Sequence, residues 1–599
     1  MSVIAGPAAA TSPAAGPGRL LWLGLAAATV AFHLGLVFWG LVPNLVSRPL
    51  HMALLLPWVL VWDQRGWRLA SGALLAAVGI AAALWVAWNH DRLSDQYGFI
   101  EGPLQAALGV ALLLVVLEAA RRAIGWPLPL VAAAALLYGL LGQHVPGQLG
   151  HAGTPLPSFL GTLTIAEGGL WGTLTAVSVG VVAIFVIFGA VLNAGEAGQG
   201  FMNLAGAAAG RLRGGAGKVS VLSSALFGSI SGSASANVAS TGAVTLPAMT
   251  RLGYPRRIAG AIEAVASSGG QIMPPLMGAG AFVMVELTGE PYTVIMAAAA
   301  LPALLYFVAV WVGIDGYARR FALRGLAAED RPALRDVVVT SLFFLLPFSV
   351  LLWGMFALGR TPQYAAAFAI FVAVALLLLD ARLRVDASRA LRRLEAAVLA
   401  AARQVALIGS IILCASIVVG VLGVTGLGVK ITSLILSVSG GLLWPTLLLT
   451  ALACLVLGME VPTTAAYVIC VSVAGPALTQ LGLEPLQAHL FVFWYALLST
   501  ITPPVCGAVF IAAGMVEENW LRVATTAMKL GLGLYLVPLG MVANPAVLEL
   551  AAAPGAAALA TLKIGAGLAL ISLGLISTRR WLLRLLSGLL GLGLILVGT

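Results

Sequence analysis

Long apolar runs separated by short polar segments dominate the chain. Leu20 to Val42, Trp67 to Trp88, Leu104 to Ala120, Pro291 to Ile314, Val337 to Leu358, Ala365 to Leu379, Leu521 to Val542, Ala556 to Ile576 and Trp581 to Val597 all stand out. Each approaches or exceeds the roughly 20 apolar residues that carry a helix across a hydrocarbon core about 30 Å thick. Counting broken and paired segments, the pattern predicts about 16 to 18 membrane-crossing or half-crossing passages, hence an all-α polytopic membrane protein. Residues 1–160 hold four or five ordinary spans joined by short loops such as Asn89 to Gly102, and residues 546–599 hold two plain spans. Between about 165 and 545, Gly, Ser, Thr and Pro clusters interrupt the apolar runs at membrane depth, so chemistry is expected there.

The interruptions repeat. Pro274-Pro275-Leu276-Met277-Gly278-Ala279 lies over Pro503-Pro504-Val505-Cys506-Gly507-Ala508 at an offset of 229, and Gly228 lies over Gly458 at 230. The copies are placed at 161–320 and 391–545, with connector helices in 321–390 that open on the charged stretch Arg319 to Asp336. An odd number of crossings in each copy inverts the second relative to the first. Inverted repeats with broken helices recur in secondary transporters, with the site near the midplane.

Each copy carries two unusual segments. In the first, Gly228 to Asn237 holds four serines and an asparagine between short apolar flanks, Val219 to Phe227 and Val238 to Met249. It reads as the tip of a re-entrant hairpin, exposing carbonyl and hydroxyl oxygens that suit a small hard cation and helix N-termini that suit a carboxylate. Close helix packing through small residues is the alternative. Next, Ala266 to Pro275 interrupts the span from about Ile258 to Val285. Two prolines remove amide donors and free carbonyls near Gly270 to Met273, for which an ion, a hydroxyl or water is the partner. In the second copy the hairpin is Leu442 to Gly458, tip Met459 to Thr464, and Ala465 to Leu478; the break is Ser499 to Pro504 within Leu486 to Met515. One ion site per copy follows. Glu460 at the second tip has three readings, as ion ligand, proton carrier or solvated residue, and Glu263 is equally open.

Composition fits lipid as the main solvent: of 599 residues, 61% are hydrophobic and 9% charged, with a mean hydropathy of +1.04. The net charge of +10 comes from Arg pairs between spans, such as Arg121-Arg122, Arg256-Arg257, Arg319-Arg320, Arg392-Arg393 and Arg579-Arg580, which mark cytoplasmic loops rather than a nucleic-acid surface. Met1 to Gly18 lacks the positive charge of a signal peptide and reads as a short disordered tail. Cys414, Cys454, Cys470 and Cys506 lie singly in apolar runs as packing residues, and no pair of the six histidines has metal-ligand spacing.

The string Gly228 to Val238, followed by Pro247-x-Met249, Gly253-Tyr254, Ala266-Ser267-Ser268-Gly269 and Ile272-Met273-Pro274-Pro275, resembles the large membrane subunit of tripartite ATP-independent periplasmic (TRAP) transporters. So do Gly458-Met459, Pro462-Thr463 and Thr502-Pro503-Pro504-Val505; the chain differs at Met459-Glu460-Val461-Pro462, where many members carry Asp-Pro. The resemblance covers about 165–545 and implies an elevator in which hairpins and broken helices slide against scaffold helices, driven by Na⁺ or H⁺. By position, residues 1–160 would correspond to the family's small membrane subunit, fused here as in permeases served by TAXI-type binding proteins. The resemblance implies a periplasmic or membrane-anchored substrate-binding protein, a small organic acid as substrate, no further cofactor, and placement in the inner membrane. Its cation sites would draw on Ser231, Gly232, Ser233, Ser235 and Asn237 with Gly270 and Met273, and on Gly458, Glu460, Thr463 and Thr464 with Thr500 and Thr502. Ser235, Asn237, Ser267, Ser268, Thr464 and Ser499 are candidates for substrate contact.

Two other readings stand beside this one. A symporter that needs no binding protein would use the same hairpin chemistry. A membrane subunit of a proton-pumping complex, or an intramembrane enzyme, would need a chain of buried ionisable groups or a nucleophile with its base, and neither is evident. No G-x-x-x-x-G-K-[ST] loop supports nucleotide-driven transport.

Overall fold

In the computed structural model of the chain, residues 17–459, 461–577 and 580–598 are described. The expected tail therefore lies outside the described residues, except that Pro17 and Gly18 already begin the first helix, Pro17–Phe38. Among the described residues nine helices are long and apolar enough to cross a membrane, a bent pair would make a tenth, and shorter apolar helices fill the rest. This is an all-α polytopic membrane protein.

The 39-residue helix Ala387–Thr425 is the spine. At about 1.5 Å per residue it exceeds the hydrocarbon thickness nearly twofold. It packs against the N-terminal helices Pro17–Phe38, Asn44–Leu60, Gly102–Ile124 and Pro127–Leu141, against Ala183–Ala194, and against Thr463–Gln480. Small residues make this possible: a methyl at Gly409 would lie 2.3 Å from Leu55 and 3.0 Å from His51.

Hairpin 1 is Gly215–Ser231 and Ala234–Arg251; broken helix 1 is Arg256–Gly269 and Ala279–Thr288. Hairpin 2 is Leu443–Leu457 and Thr463–Gln480; broken helix 2 is Pro485–Leu498 and Gly507–Met515. In both, the Pro-Pro bond is cis. The first hairpin's tip is narrower than the sequence suggests. Its arms run 17 and 18 residues and leave only Gly232-Ser233 irregular, because Ser229 returns its hydroxyl to the Leu226 carbonyl (2.8 Å) and the helix continues past it.

The two broken helices run in opposite directions. Arg256, at the start of the first, pairs with Glu517, just past the end of the second, at 3.5 Å. Gly280 in the trailing half of the first faces Phe493 in the leading half of the second, where a methyl would lie 2.5 Å away. Each hairpin meets its break through a glycine: a methyl at Gly228 would lie 2.5 Å from the Gly270 Cα, and one at Gly458 would lie 2.5 Å from Ser499 Oγ. Gly270 and Ser499 are themselves 229 residues apart, so the repeat seen in sequence is also a repeat of contacts.

Two expected boundaries change. Leu521 to Val542 is not a plain span: Trp520–Leu530 and Leu532–Ala543 are bent by 63°. The carbonyls freed there are taken by broken helix 2, through Trp494 Nε1 to Leu534 O (3.0 Å) and Tyr495 Oη to Tyr535 O (2.6 Å). Arg319 and Arg320 belong to the helix Tyr292–Arg320 rather than to the connector, with Arg319 held one turn on from Asp315 at 3.0 Å. Cys414, Cys454, Cys470 and Cys506 are buried and unpaired.

Valine at Gly228 or Gly458 is expected to destabilise the fold by about 1–3 kcal/mol through overpacking, lowering the tryptophan-fluorescence melting temperature in detergent. Alanine at Gly423, where nothing lies within 4 Å, should leave it in place. A cysteine pair replacing Arg256 and Glu517 should be joined within one molecule by a short bifunctional thiol reagent; no intramolecular cross-link would contradict the antiparallel arrangement.

Candidate functional site

The hairpin tips and helix breaks converge on one cavity of about 680 Å³. Gly232 turns the first tip in the left-handed region, φ 61°, where a side chain would be strained. Ser233 then caps the second arm, its hydroxyl accepting from Ala236 N at 3.3 Å. At the second tip Pro462 leads into Thr463–Gln480 with no side-chain cap, and the trailing halves Ala279–Thr288 and Gly507–Met515 also start without one. Ser235, Ala279, Thr464 and Gly507 all line the cavity, so four helix N-termini meet there. Three of them present backbone N–H groups that no side chain has taken.

The walls differ in chemistry. Tips and breaks supply hydroxyls, an amide and backbone; the opposite wall, from Thr173–Ala194 and Ala387–Thr425, is mostly apolar, with Phe185, Val186, Ile408 and Ile411. No charged side chain lines the cavity among the described residues.

The structure separates the expected site residues into two groups. Ser231, Gly232, Ser233, Ser235, Gly458, Thr463, Thr464 and Thr500 line the cavity. Asn237, Ser267, Ser268, Ser499 and Thr502 do not; they face into the protein. Ser268 returns its hydroxyl to the Ala264 carbonyl (2.9 Å), Ser499 is held by the Gly458 carbonyl (3.0 Å), and Thr502 meets Tyr535 Oη (2.6 Å). The expected partnerless carbonyls are also partly used. Gly270 O accepts from Met273 N (3.2 Å), Gln271 O from Gly278 N (2.7 Å) and Met273 O from Met277 N (3.3 Å), so each keeps one lone pair. Glu460 lies outside the described residues.

Asn237 is the buried oxygen donor that stands out. Its Nδ2 donates to Ser224 O (2.9 Å) and Ser267 O (3.1 Å), tying both arms of hairpin 1 to broken helix 1, while its Oδ1 is buried with no partner. A buried acceptor in that state has capacity for a cation or a water.

Gln271 was not singled out in the sequence, yet it joins the two tips. With its amide turned so that both ends are satisfied, it donates to Thr463 Oγ1 (3.0 Å) and Gly232 O (3.3 Å) and accepts from Ala234 N (3.2 Å). Its counterpart at an offset of 229 is Thr500, whose hydroxyl meets Ser268 at 2.9 Å. Each break thus reaches across into the other copy. The repeat alignment carried part of this signal: both copies hold a hydrogen-bonding side chain at this position.

The N-terminal spans also hold polar contacts that spacing alone does not show. His33 Nε2 and His51 Nδ1 are 2.7 Å apart, and His51 Nε2 meets Ser178 Oγ at 3.0 Å. Ser178 opens a π-helical turn, Ser178–Val182. Arg48 pairs with Glu167 (3.2 Å) and also donates to the Trp171 carbonyl. His51 thus fastens the second helix to the span that forms the cavity's apolar wall, and Arg48 fastens it to the segment just before that span.

Comparison with known proteins agrees with this architecture. The family profile described as tripartite ATP-independent periplasmic transporter, DctM component, matches residues 111–556. The C4-dicarboxylate TRAP transporter large permease protein DctM of Pseudomonas aeruginosa is 26% identical over 357 residues, 58% of this chain and 78% of that protein. The isethionate TRAP transporter permease protein DctMQ of Oleidesulfovibrio alaskensis is 24% identical over 409 residues, 67% of this chain and 63% of its own length. The 2,3-diketo-L-gulonate TRAP transporter large permease protein YiaN of Escherichia coli is 24% identical over 343 residues, 56% and 77%. Paired hairpins, antiparallel broken helices and a matched stretch of this length together identify the chain: it belongs to the TRAP transporter large-permease family, a multi-pass component of the bacterial inner membrane and not an enzyme.

Proposed function

We propose that the chain is the fused permease of a binding-protein-dependent secondary transporter that imports a small organic acid together with cations. The observation that carries this is the cavity at the tips. A carboxylate needs donors, and the four converging helix N-termini supply backbone N–H groups and partial positive charge. No lysine or arginine lines the cavity among the described residues, so the acid is held by many weak donors and is free to leave. The volume suits a small organic molecule. Relatives whose names record a C4-dicarboxylate, isethionate and 2,3-diketo-L-gulonate make a carboxylate the first class to test.

Coupling belongs beside that cavity, in residues that do not line it. Asn237 Oδ1, unpartnered and buried, and the second lone pairs of Gly270 O and Met273 O form a donor set for a hard cation behind the first tip. The tips and breaks hold together through Gln271 and Thr500, and they face a mostly apolar wall. This division suits a transport unit that slides as one body past the helices Thr173–Ala194 and Ala387–Thr425, in an elevator cycle. A substrate-binding protein, with the TAXI type as its first candidate, would deliver the acid.

Reconstituted vesicles containing the purified chain test this directly. Accumulation of a labelled C4-dicarboxylate is expected only with a cognate binding protein outside and an inward Na⁺ or H⁺ gradient; gradient-driven accumulation without the binding protein would favour the self-sufficient symporter. Ser233→Val and Thr463→Val should each lower cation-driven uptake about tenfold, the scale of one lost hydrogen bond to a charged group, with the elution profile of the folded protein retained. Gln271→Leu, which cuts the link between the tips, should abolish uptake in the same assay.

A further inference from the structure

One buried charge has no place in the donor sets above. Glu263 lies in the leading half of broken helix 1 and is fully buried. Four hydroxyls surround its carboxylate. Ser220 Oγ donates to Oε2 at 2.8 Å and Thr245 to the same oxygen; Ser267 Oγ donates to Oε1 at 3.2 Å and Thr241 to that oxygen. The charged groups on the neighbouring elements are paired elsewhere or lie exposed at helix ends. On hairpin 1, Lys218 pairs with Asp315 at 3.0 Å, and Arg251 closes the second arm at its exposed end. Arg256 pairs with Glu517 and Arg522 with Glu518. Arg257 lies in the exposed first turn, Lys529 ends the helix Trp520–Leu530, and Tyr306 from Tyr292–Arg320 gives its hydroxyl to the Val265 carbonyl at 2.7 Å. Hydroxyls are the only groups that hydrogen-bond Glu263 among the described residues.

A lone buried carboxylate is costly in hydrocarbon surroundings and needs a positive partner or a proton. The fold does not require it: 229 residues on, the second copy carries Val492, also fully buried. We propose that Glu263 carries a coupling proton, one per molecule, and that uptake of the organic acid is accompanied by its protonation and release. This rests on the transporter reading above and names one of its coupling ions.

Geometry favours a proton over a metal cation. The hydroxyls already sit at hydrogen-bond distance from both oxygens, and Gly242 closes over the side chain, since a methyl there would lie 3.3 Å from Glu263 Cγ. A metal would have to part these groups; a proton occupies no such volume. The hydroxyls can also serve both states. Thr241 Oγ1 lies 2.8 Å from Asn237 O, and Thr245 Oγ1 lies 3.0 Å from Thr241 O, as well as against the carboxylate. A hydroxyl has one proton to donate. With Glu263 ionised, both threonines donate to it. With Glu263 protonated, its O–H donates to a threonine oxygen, and that threonine turns its own proton to the backbone carbonyl. Apart from the O–H bond made on loading and broken on release, no covalent bond changes.

A route to the cavity is built into the same helix. Asn237, Thr241 and Thr245 recur every fourth residue and so share one face of the second arm, which Ser233 caps. Ser233 lines the cavity, Asn237 follows one turn in, and Thr241 touches Glu263. The proton comes from water in the cavity and returns to water after the transport unit has moved.

Infrared difference spectroscopy on the full chain in detergent tests the site without any substrate. A carboxylic-acid carbonyl band, sensitive to deuterium exchange, should titrate with pH in the wild type and be missing from Glu263→Gln. The same titrating band in both proteins would overturn the proposal, as would no titrating band in the wild type. In vesicles with a labelled C4-dicarboxylate and its binding protein, accumulation driven by an inward proton gradient should be lost in Glu263→Gln, while exchange persists and no longer depends on pH. Glu263→Asp, which keeps an acid, should restore the response and show that the glutamine variant had not failed by misfolding. Proton-driven accumulation equal in Glu263→Gln and wild type would also overturn it. If wild-type vesicles neither accumulate nor exchange the acid, the organic-acid reading falls, and the infrared titration still decides Glu263.

Discussion

The structure depends on how backbone groups are satisfied where helices stop inside the membrane. Two hairpins and two broken helices leave chain ends at a depth where water is scarce, and an unsatisfied amide or carbonyl there costs several kcal/mol. The answer is mutual: tips and breaks meet one another. Glycine lets the backbones approach, at Gly228 against Gly270 and at Gly458 against Ser499. Short turns in each break take up the carbonyls nearest the prolines. What is left over is asymmetric. Carbonyls find partners more readily than the first N–H groups of the uncapped helices, so the cavity at the centre is rich in donors, which an anion can use.

The same constraint explains why the cavity can work without a formal positive charge. A lysine or arginine would bind a carboxylate strongly, but its own desolvation would cost several kcal/mol. Backbone dipoles carry their partial charge with the helices and need no counter-ion. Gln271 and Thr500 then turn two separate tips into one surface, because each reaches from one copy into the other. Any motion that separated the copies would break both contacts, so sliding as a unit leaves more of the structure intact than opening between them.

Much of this was legible in the chain and some was not. The repeat was readable because Pro-Pro pairs and glycines are hard to place by chance at matching offsets, and spans such as Trp67–Trp88 follow directly from unbroken apolar runs. The narrow first tip was not readable, since serines that return their hydroxyls to the preceding turn look the same in sequence as serines in a loop. The direction of Ser267, Ser268 and Thr502 was hidden for a similar reason: helix phase at a break shifts with the 3₁₀ turns Gly270–Ile272 and Ser499–Ile501, so period alone does not say which face meets the cavity. His33 and His51 come together only through the packing of two helices. The bend after Leu530 depends on Trp494 and Tyr495, which are distant in sequence.

The two copies are alike in path and unlike in chemistry. Copy one holds Asn237, Glu263, Gln271 and a column of hydroxyls behind its tip; copy two holds Val492 where the carboxylate would be, Thr500 in place of Gln271, and aromatic rings about Tyr467 and Phe493. Duplication set the frame, because a broken helix needs a facing hairpin, and the reverse, wherever it occurs. It did not fix what lies behind each tip, since only the backbone contacts are demanded by the membrane. One copy could therefore fill the space behind its tip with apolar and aromatic side chains while the other accumulated oxygen donors. The cavity shared by both then takes its uncapped helix N-termini from two halves, while the buried acid, which does not line it, belongs to one.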